Sequence, residues 1–180
     1  MLVKTQNSKL RTQNWFAVYT NPRAEKKIHA ELLNKGFTVY LPLLRTLRQW
    51  SDRKKWVEEP LFRSYLFVYI SEKEYFEVLN ITGVVRFVTF EGKAVPVPQR
   101  QIDAIRYFLS EETPESLSID TDLTTGQAVE IARGPLHGLA GELVSVQGRR
   151  KVRVQIEALG QFIYLTVSPG DLRVIREVGA

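Results

Sequence analysis

Gly134-Pro135-Leu136-His137-Gly138-Leu139-Ala140-Gly141-Glu142-Leu143-Val144-Ser145-Val146 decides the fold of the C-terminal third. A loop punctuated by glycine and proline leads straight into an alternating apolar strand, the pattern of a half-buried β-strand after a turn. Residues 126–180 hold 8 of the 11 glycines and show no helical period. Short strands are expected at Val129–Arg133, Leu143–Val146, Val152–Glu157, Phe162–Val167 and Leu172–Ile175. Turns separate them at Gln147-Gly148-Arg149, Ala158-Leu159-Gly160 and Ser168-Pro169-Gly170-Asp171. Five short strands this closely spaced predict a small SH3-like barrel that presents a loop.

Upstream, the composition changes. Residues 111–125 are acidic and rich in Ser and Pro, and their isolated apolar residues make no helix face, so they read as a linker. Residues 1–13 carry Lys4, Lys9 and Arg11 without an acid and read as a flexible leader. A first domain at 14–110 and a second at 126–178 remain.

The first domain alternates element types. Trp15–Thr20 reads as a strand; Asn21-Pro22 is expected to open a helix whose apolar stripe is Ala24, Ile28 and Leu32, with Gly36 ending it. Phe37–Leu47 reads as extended with Pro42 at an edge or bulge, and Trp56–Ile70 holds the next extended segment. Ser71-Glu72-Lys73-Glu74 is a capping box, opening a helix to about Ile81. Val84–Thr89 and Ala94–Val97 read as a hairpin around Glu91-Gly92, and Pro98 opens a helix with Ile102, Ile105 and Leu109 on one face. Helices interleaved with mostly antiparallel strands predict an α+β domain, its sheet flanked by helices.

Bulk properties narrow the function classes. The 180 residues are 44% hydrophobic, enough for a core. No apolar run approaches the ~20 residues of a membrane-spanning helix, and the N-terminus has no apolar signal region, so a cytoplasmic protein is expected. The absence of cysteine excludes disulfides, thiolate metal sites and cysteine nucleophiles. The net charge of +5 is uneven: residues 14–110 carry 15 bases against 10 acids, and residues 111–125 carry five acids and no base. A basic front domain favours phosphate backbones.

Bond chemistry finds little support. The two histidines, His29 and His137, lie far apart in sequence and have no thiol beside them. No glycine-rich phosphate loop is present. Glu58 and Glu59 are adjacent, so on a strand they face opposite ways. No catalytic residue, metal or cofactor is expected. The aromatic and basic residues are more informative. Trp50, Trp56, Phe62, Tyr65, Phe67 and Tyr69 crowd one stretch, and Arg45–Lys55 holds five bases and one acid. Ser51-Asp52-Arg53-Lys54 has turn composition, which predicts a hairpin with a basic tip at Arg53, Lys54 and Lys55 able to reach a phosphate backbone. Tyr65, Phe67 and Tyr69 share one face of their strand; Leu66, Val68 and Ile70 share the other. An exposed aromatic part at Phe62 and Tyr65 would be a docking site.

Four blocks in order resemble NusG-type transcription elongation factors: Trp15–Tyr19, Pro60–Val68, Thr82–Val88 and Gly134–Val146. The resemblance spans about residues 14–177 and implies an NGN domain, a linker and a KOW domain. The family pattern at the second block is usually Phe-Pro-Gly-Tyr; here it is Phe62-Arg63-Ser64-Tyr65, which looks more like the specialised paralogues related to RfaH. Those paralogues imply recruitment to particular long operons, often for surface or capsular polysaccharide, where termination is suppressed.

The resemblance implies that the first domain docks on the clamp helices of the RNA polymerase largest subunit, with Tyr19, Phe62 and Tyr65 in the aromatic hollow. Arg23, Lys26 and Lys27 would face upstream or non-template DNA. The second domain would meet a ribosomal protein or Rho through the loop of Leu136, His137 and Leu139. Some relatives of RfaH refold this domain from a helical hairpin; the β-branched strands and glycines here favour the barrel. The alternative is an RNA-binding or ribosome-associated translation factor, since KOW barrels also occur in ribosomal proteins.

Overall fold

The computed structural model describes residues 13–49, 53–110, 125–146 and 148–175. The leader, apart from Gln13, the linker, apart from Thr125, and Ser51-Asp52 of the basic turn lie outside the described residues. In chain order the elements are β1 (Asn14–Thr20), α1 (Glu25–Asn34), β2 (Thr38–Tyr40), β3 (Leu43–Gln49), β4 (Lys54–Pro60), β5 (Tyr65–Ile70), α2 (Tyr75–Leu79), β6 (Val84–Phe87), β7 (Thr89–Phe90), β8 (Lys93–Ala94), β9 (Pro96–Val97), α3 (Gln99–Ser110), β10 (Ala128–Ile131), β11 (Ala140–Val146), β12 (Arg149–Ile156), β13 (Gln161–Leu165) and β14 (Leu172–Val174). Two compact units result: the described residues of Met1–Leu41 with Phe62–Pro96, and those of Pro42–Leu61 with Val97–Ala180.

The first unit is an antiparallel sheet in the order β2-β5-β1-β6 with α1 and α2. β1 and β5 are its central strands, which explains a run of six apolar residues in β5. Leu66, Phe67 and Val68 are fully buried, and so are Ala17 and Val18 of β1. A strand covered on both faces reads as continuously apolar instead of alternating. Ile28 and Leu32 of α1 are also fully buried, as the i, i+4 stripe requires. Phe87 stacks on Tyr75 at 4.2 Å and meets Phe16 edge-on at 6.1 Å, linking β6 to α2 and β1.

Several boundaries move. α1 begins at Glu25, not at Asn21-Pro22: Arg23 adopts φ 65° and the Asn21 carbonyl accepts from the Ala24 N–H, so these residues form a turn before the helix. Phe37–Leu47 breaks at Leu41-Pro42 into β2 and β3, and Trp56–Ile70 breaks at residues 61–64 into β4 and β5. The capping box is present, with the Glu74 carboxyl accepting from both the backbone N–H and the hydroxyl of Ser71 at 2.8 and 2.6 Å. It opens a single 3₁₀ turn before a helix of five residues. Glu91 and Gly92 both have positive φ, the type I′ geometry that suits the two-residue β7–β8 hairpin.

In the second unit the C-terminal strands form an antiparallel sheet in the order β13-β12-β11-β10-β14. All five expected strands are there, each within a few residues of its expected bounds. Val152, Val154 and Ile156 alternate inward from β12 and are buried, as are Leu143, Ile163, Leu165, Val129 and Ile131 of the neighbouring strands. Outward positions carry cross-strand ion pairs: Glu142 with Arg153, and Glu130 with Arg173 at 2.8 Å. The Arg173 hydrogen bond holds the Glu130 carboxyl below its ordinary range.

Gly141 is where the barrel tolerates no side chain. A Cβ there would lie 2.6 Å from the Arg153 carbonyl oxygen and 2.7 Å from Val152 Cγ1. The obstacle is backbone of the neighbouring strand and cannot rotate away. Gly141→Ala is expected to destabilise the barrel by about 1–3 kcal/mol, the usual cost of overpacking; a thermal melt of the variant beside wild type measures it.

Candidate functional site

The site grows from one turn. The chain enters β5 through a turn at Phe62-Arg63-Ser64-Tyr65, with the Tyr65 N–H donating to the Phe62 carbonyl. Ser64 sits at φ 63°, in the left-handed region that ordinarily favours glycine. It is buried, so its backbone N–H must find a partner inside. Glu25, also buried, supplies it: Oε1 accepts from Ser64 N at 2.7 Å. The Ser64 carbonyl in turn accepts from Thr20 N at 2.8 Å, and Asn21 N donates to the Gly83 carbonyl. The ends of β1 and β5, the start of α1 and the turn before β6 are thereby tied together.

That tie sets a row of side chains across three strands. Tyr65 of β5 lies opposite Tyr19 of β1, and Tyr19 lies opposite Arg86 of β6. The two tyrosine rings are 5.3 Å apart and tilted by 59°, and the Arg86 guanidinium stands 5.5 Å over the Tyr19 ring. Both tyrosines are half-buried and Arg86 is exposed. The result is an aromatic surface with a cation at one side.

Phe62 takes a different part from the one expected. It is 2% exposed and meets Phe67 edge-on at 6.1 Å. Its ring is part of the core beneath the turn. Phe62 backs the surface; Tyr65 and Tyr19 form it. Arg86 and Glu25 escape the sequence reading. Arg86 reaches Tyr19 only through strand register, and a carboxyl that serves a backbone N–H 39 residues away leaves no local signal.

The basic candidates divide between the units. Arg23, Lys26 and Lys27 belong to the first, exposed before and at the start of α1; Arg53, Lys54 and Lys55 belong to the second, exposed at the start of β4. In the C-terminal loop, Leu136 and Leu139 are 5% and 3% exposed, whereas His137 is exposed, as are Arg133 and Pro135. The leucines anchor the loop, as do the bonds from Ile131 N to the Leu139 carbonyl and from Gly138 N to the Ile131 carbonyl. His29 is half-buried on α1, where burial lowers its pKa. Among the described residues no three His, Asp or Glu side chains gather as a metal site.

Removing the pin tests its role. Glu25→Ala leaves the Ser64 N–H buried and unsatisfied and is expected to cost about 1–3 kcal/mol in a denaturant melt. Ser64→Gly relieves a left-handed cost of about 1–2 kcal/mol, offset by glycine's extra unfolded-state freedom of about 0.4–1. A gain of roughly 0.5–1 kcal/mol is expected there, and a loss would mean that the serine side chain is itself needed.

Comparison with known proteins sets this geometry in context. The family model described as "Transcription termination factor nusG" matches residues 13–106, just over half the chain. The transcription termination/antitermination protein NusG of Lactococcus lactis is 25% identical over 163 residues, covering 83% of this chain and 86% of its own. That of Streptococcus pyogenes is 25% identical over 180 residues, covering 92% and 97%. Among solved structures, one described as "Domain interaction in Thermotoga maritima NusG" is similar in fold, with a TM-score of 0.56, 23% identity and coverage of 92% of this chain and 98% of its own.

Proposed function

Because the chain belongs to the NusG family of transcription termination and antitermination proteins, we propose that it is an elongation and antitermination factor that docks on the clamp helices of the RNA polymerase largest subunit. The observation that carries this reading is the half-buried Tyr19–Tyr65 pair held on a pinned turn, with Arg86 beside it. Paired aromatic rings backed by a rigid sheet lose little entropy on binding. Docking that favours the closed, elongating polymerase over the opened, paused one suppresses pausing by exactly the difference in affinity for the two states. The reading needs no bond chemistry and no cofactor.

Arg23, Lys26 and Lys27 then lie towards upstream or non-template DNA, and Arg53, Lys54 and Lys55 reach a phosphate backbone. The folding domains are 14–110 and 126–178 around an acidic linker, in a cytoplasmic monomer. His137, on a loop whose leucines face inward, is the contact through which a ribosomal protein or Rho is met. Arg63-Ser64, in place of the usual Pro-Gly, supports an operon-specific role of the RfaH type, at surface or capsular polysaccharide operons.

Co-purification with the cognate core RNA polymerase tests the docking. Wild type is expected to bind stably and Tyr19→Ala/Tyr65→Ala to bind at least about tenfold more weakly, a loss of roughly 1.4 kcal/mol or more. Phe62→Ala is not equivalent, since it empties core. Failure of folded wild type to bind the polymerase would move the weight to an RNA-binding or ribosome-associated role.

A further inference from the structure

The β3–β4 hairpin is built unlike the rest of the molecule. Seven residue pairs join its strands, from Leu43↔Pro60 to Gln49↔Lys54, yet none of its strand residues is fully buried. A two-stranded ribbon wetted on both faces gains little from a core, so its side chains bear on what it meets.

Its two faces differ. On one, Arg48 forms a bidentate bond with Glu59, at 3.0 and 2.7 Å, bracing the ribbon and neutralising both charges. On the other, Trp56 and Leu47 stand directly opposite each other and are 54% and 49% exposed. The Arg45 guanidinium lies 5.0 Å from the centre of the Trp56 ring, and Lys54 shares this face. Glu58, opposite Arg45, is an acid on this face, Lys55 lies on the other face opposite Arg48, and Arg53 precedes the strand; Arg45, Arg53 and Lys54 are all exposed. A large flat ring, exposed and steadied by a guanidinium, beside exposed cations, fits a chain of phosphates carrying unstacked bases.

We propose that this face is a stacking platform for single-stranded nucleic acid, with one base on Trp56 against Leu47 and the flanking phosphates on Arg45 and Lys54. The inference rests on reading the hairpin tip as a nucleic-acid contact, but not on the polymerase-docking surface. Single strands are the fitting ligand because a duplex hides its base faces; the shared chemistry covers RNA and DNA. An acidic protein segment is the competing occupant.

The test is fluorescence anisotropy of the full-length chain with labelled oligo-dT, oligo-U and a DNA duplex across a salt series. Trp56→Ala is expected to weaken single-strand binding roughly 5- to 150-fold at every salt concentration, the range for losing one stacked base. The slope of log K against log salt should not change. Trp56→Phe should keep most of the affinity. Lys54→Ala should flatten the slope by about 0.7, the value of one phosphate contact on a single strand. Relative affinity for oligo-dT and oligo-U tells which strand is the ligand. Circular dichroism and melting of the Trp56 variants should match wild type, the ring being exposed.

Trp56→Ala binding as tightly as wild type, or wild type preferring the duplex, overturns the platform while leaving the basic tip standing. No binding by wild type at low salt overturns both. Loss of polymerase co-purification by Trp56→Ala with oligonucleotide binding intact assigns the face to protein and overturns the proposal. The polymerase reading stands or falls separately, on the Tyr19→Ala/Tyr65→Ala variant.

Discussion

The hydrogen bond from Ser64 N–H to the Glu25 carboxyl carries more of the first unit than its single contact implies. A buried turn between two strands exposes backbone groups that no ladder satisfies. Here a helix-borne acid, itself buried, meets the N–H that the left-handed Ser64 turns inward. The same residue's carbonyl holds Thr20, so the turn, the end of β1 and the start of α1 share one set of bonds. Without it, Tyr65 would begin β5 from an unanchored loop. With it, Tyr65 stands opposite Tyr19 at a defined distance.

Preorganisation of this kind gives weak side-chain contacts their use. A tyrosine pair and a nearby guanidinium are each worth on the order of 1 kcal/mol. They add to binding only if little freedom is lost when a partner arrives. A sheet whose central strands are apolar on both faces is a stiff support, and Phe62 and Phe67 fill the space behind the turn. The C-terminal loop follows the same logic: Leu136 and Leu139 are spent on anchoring, leaving His137 to face outward.

The hairpin uses the opposite arrangement. It has no core of its own and is braced by a surface ion pair across its strands. Exposed pairs contribute little to stability. The Arg48–Glu59 pair lies on the face opposite Trp56 and neutralises Glu59 there.

The sequence by itself determined the element types. Glycine-punctuated strands specified the C-terminal sheet, because turns with special backbone angles must recur where short strands reverse. The i, i+4 stripe of α1, the Ser71–Glu74 box and the Glu91-Gly92 turn are likewise local, each decided by residues within a few positions of one another. Element ends were less legible. Pro22 has the φ of a helix start, but the bonds of the preceding turn delay α1 to Glu25. Only the tertiary structure decided which aromatic faces outward: Phe62 and Tyr65 are three residues apart and chemically alike, yet one is core and the other surface. It also decided that Arg86 stands over Tyr19 and that Glu25 serves Ser64. These pairings depend on strand register and on contacts across tens of residues, and no local pattern encodes them.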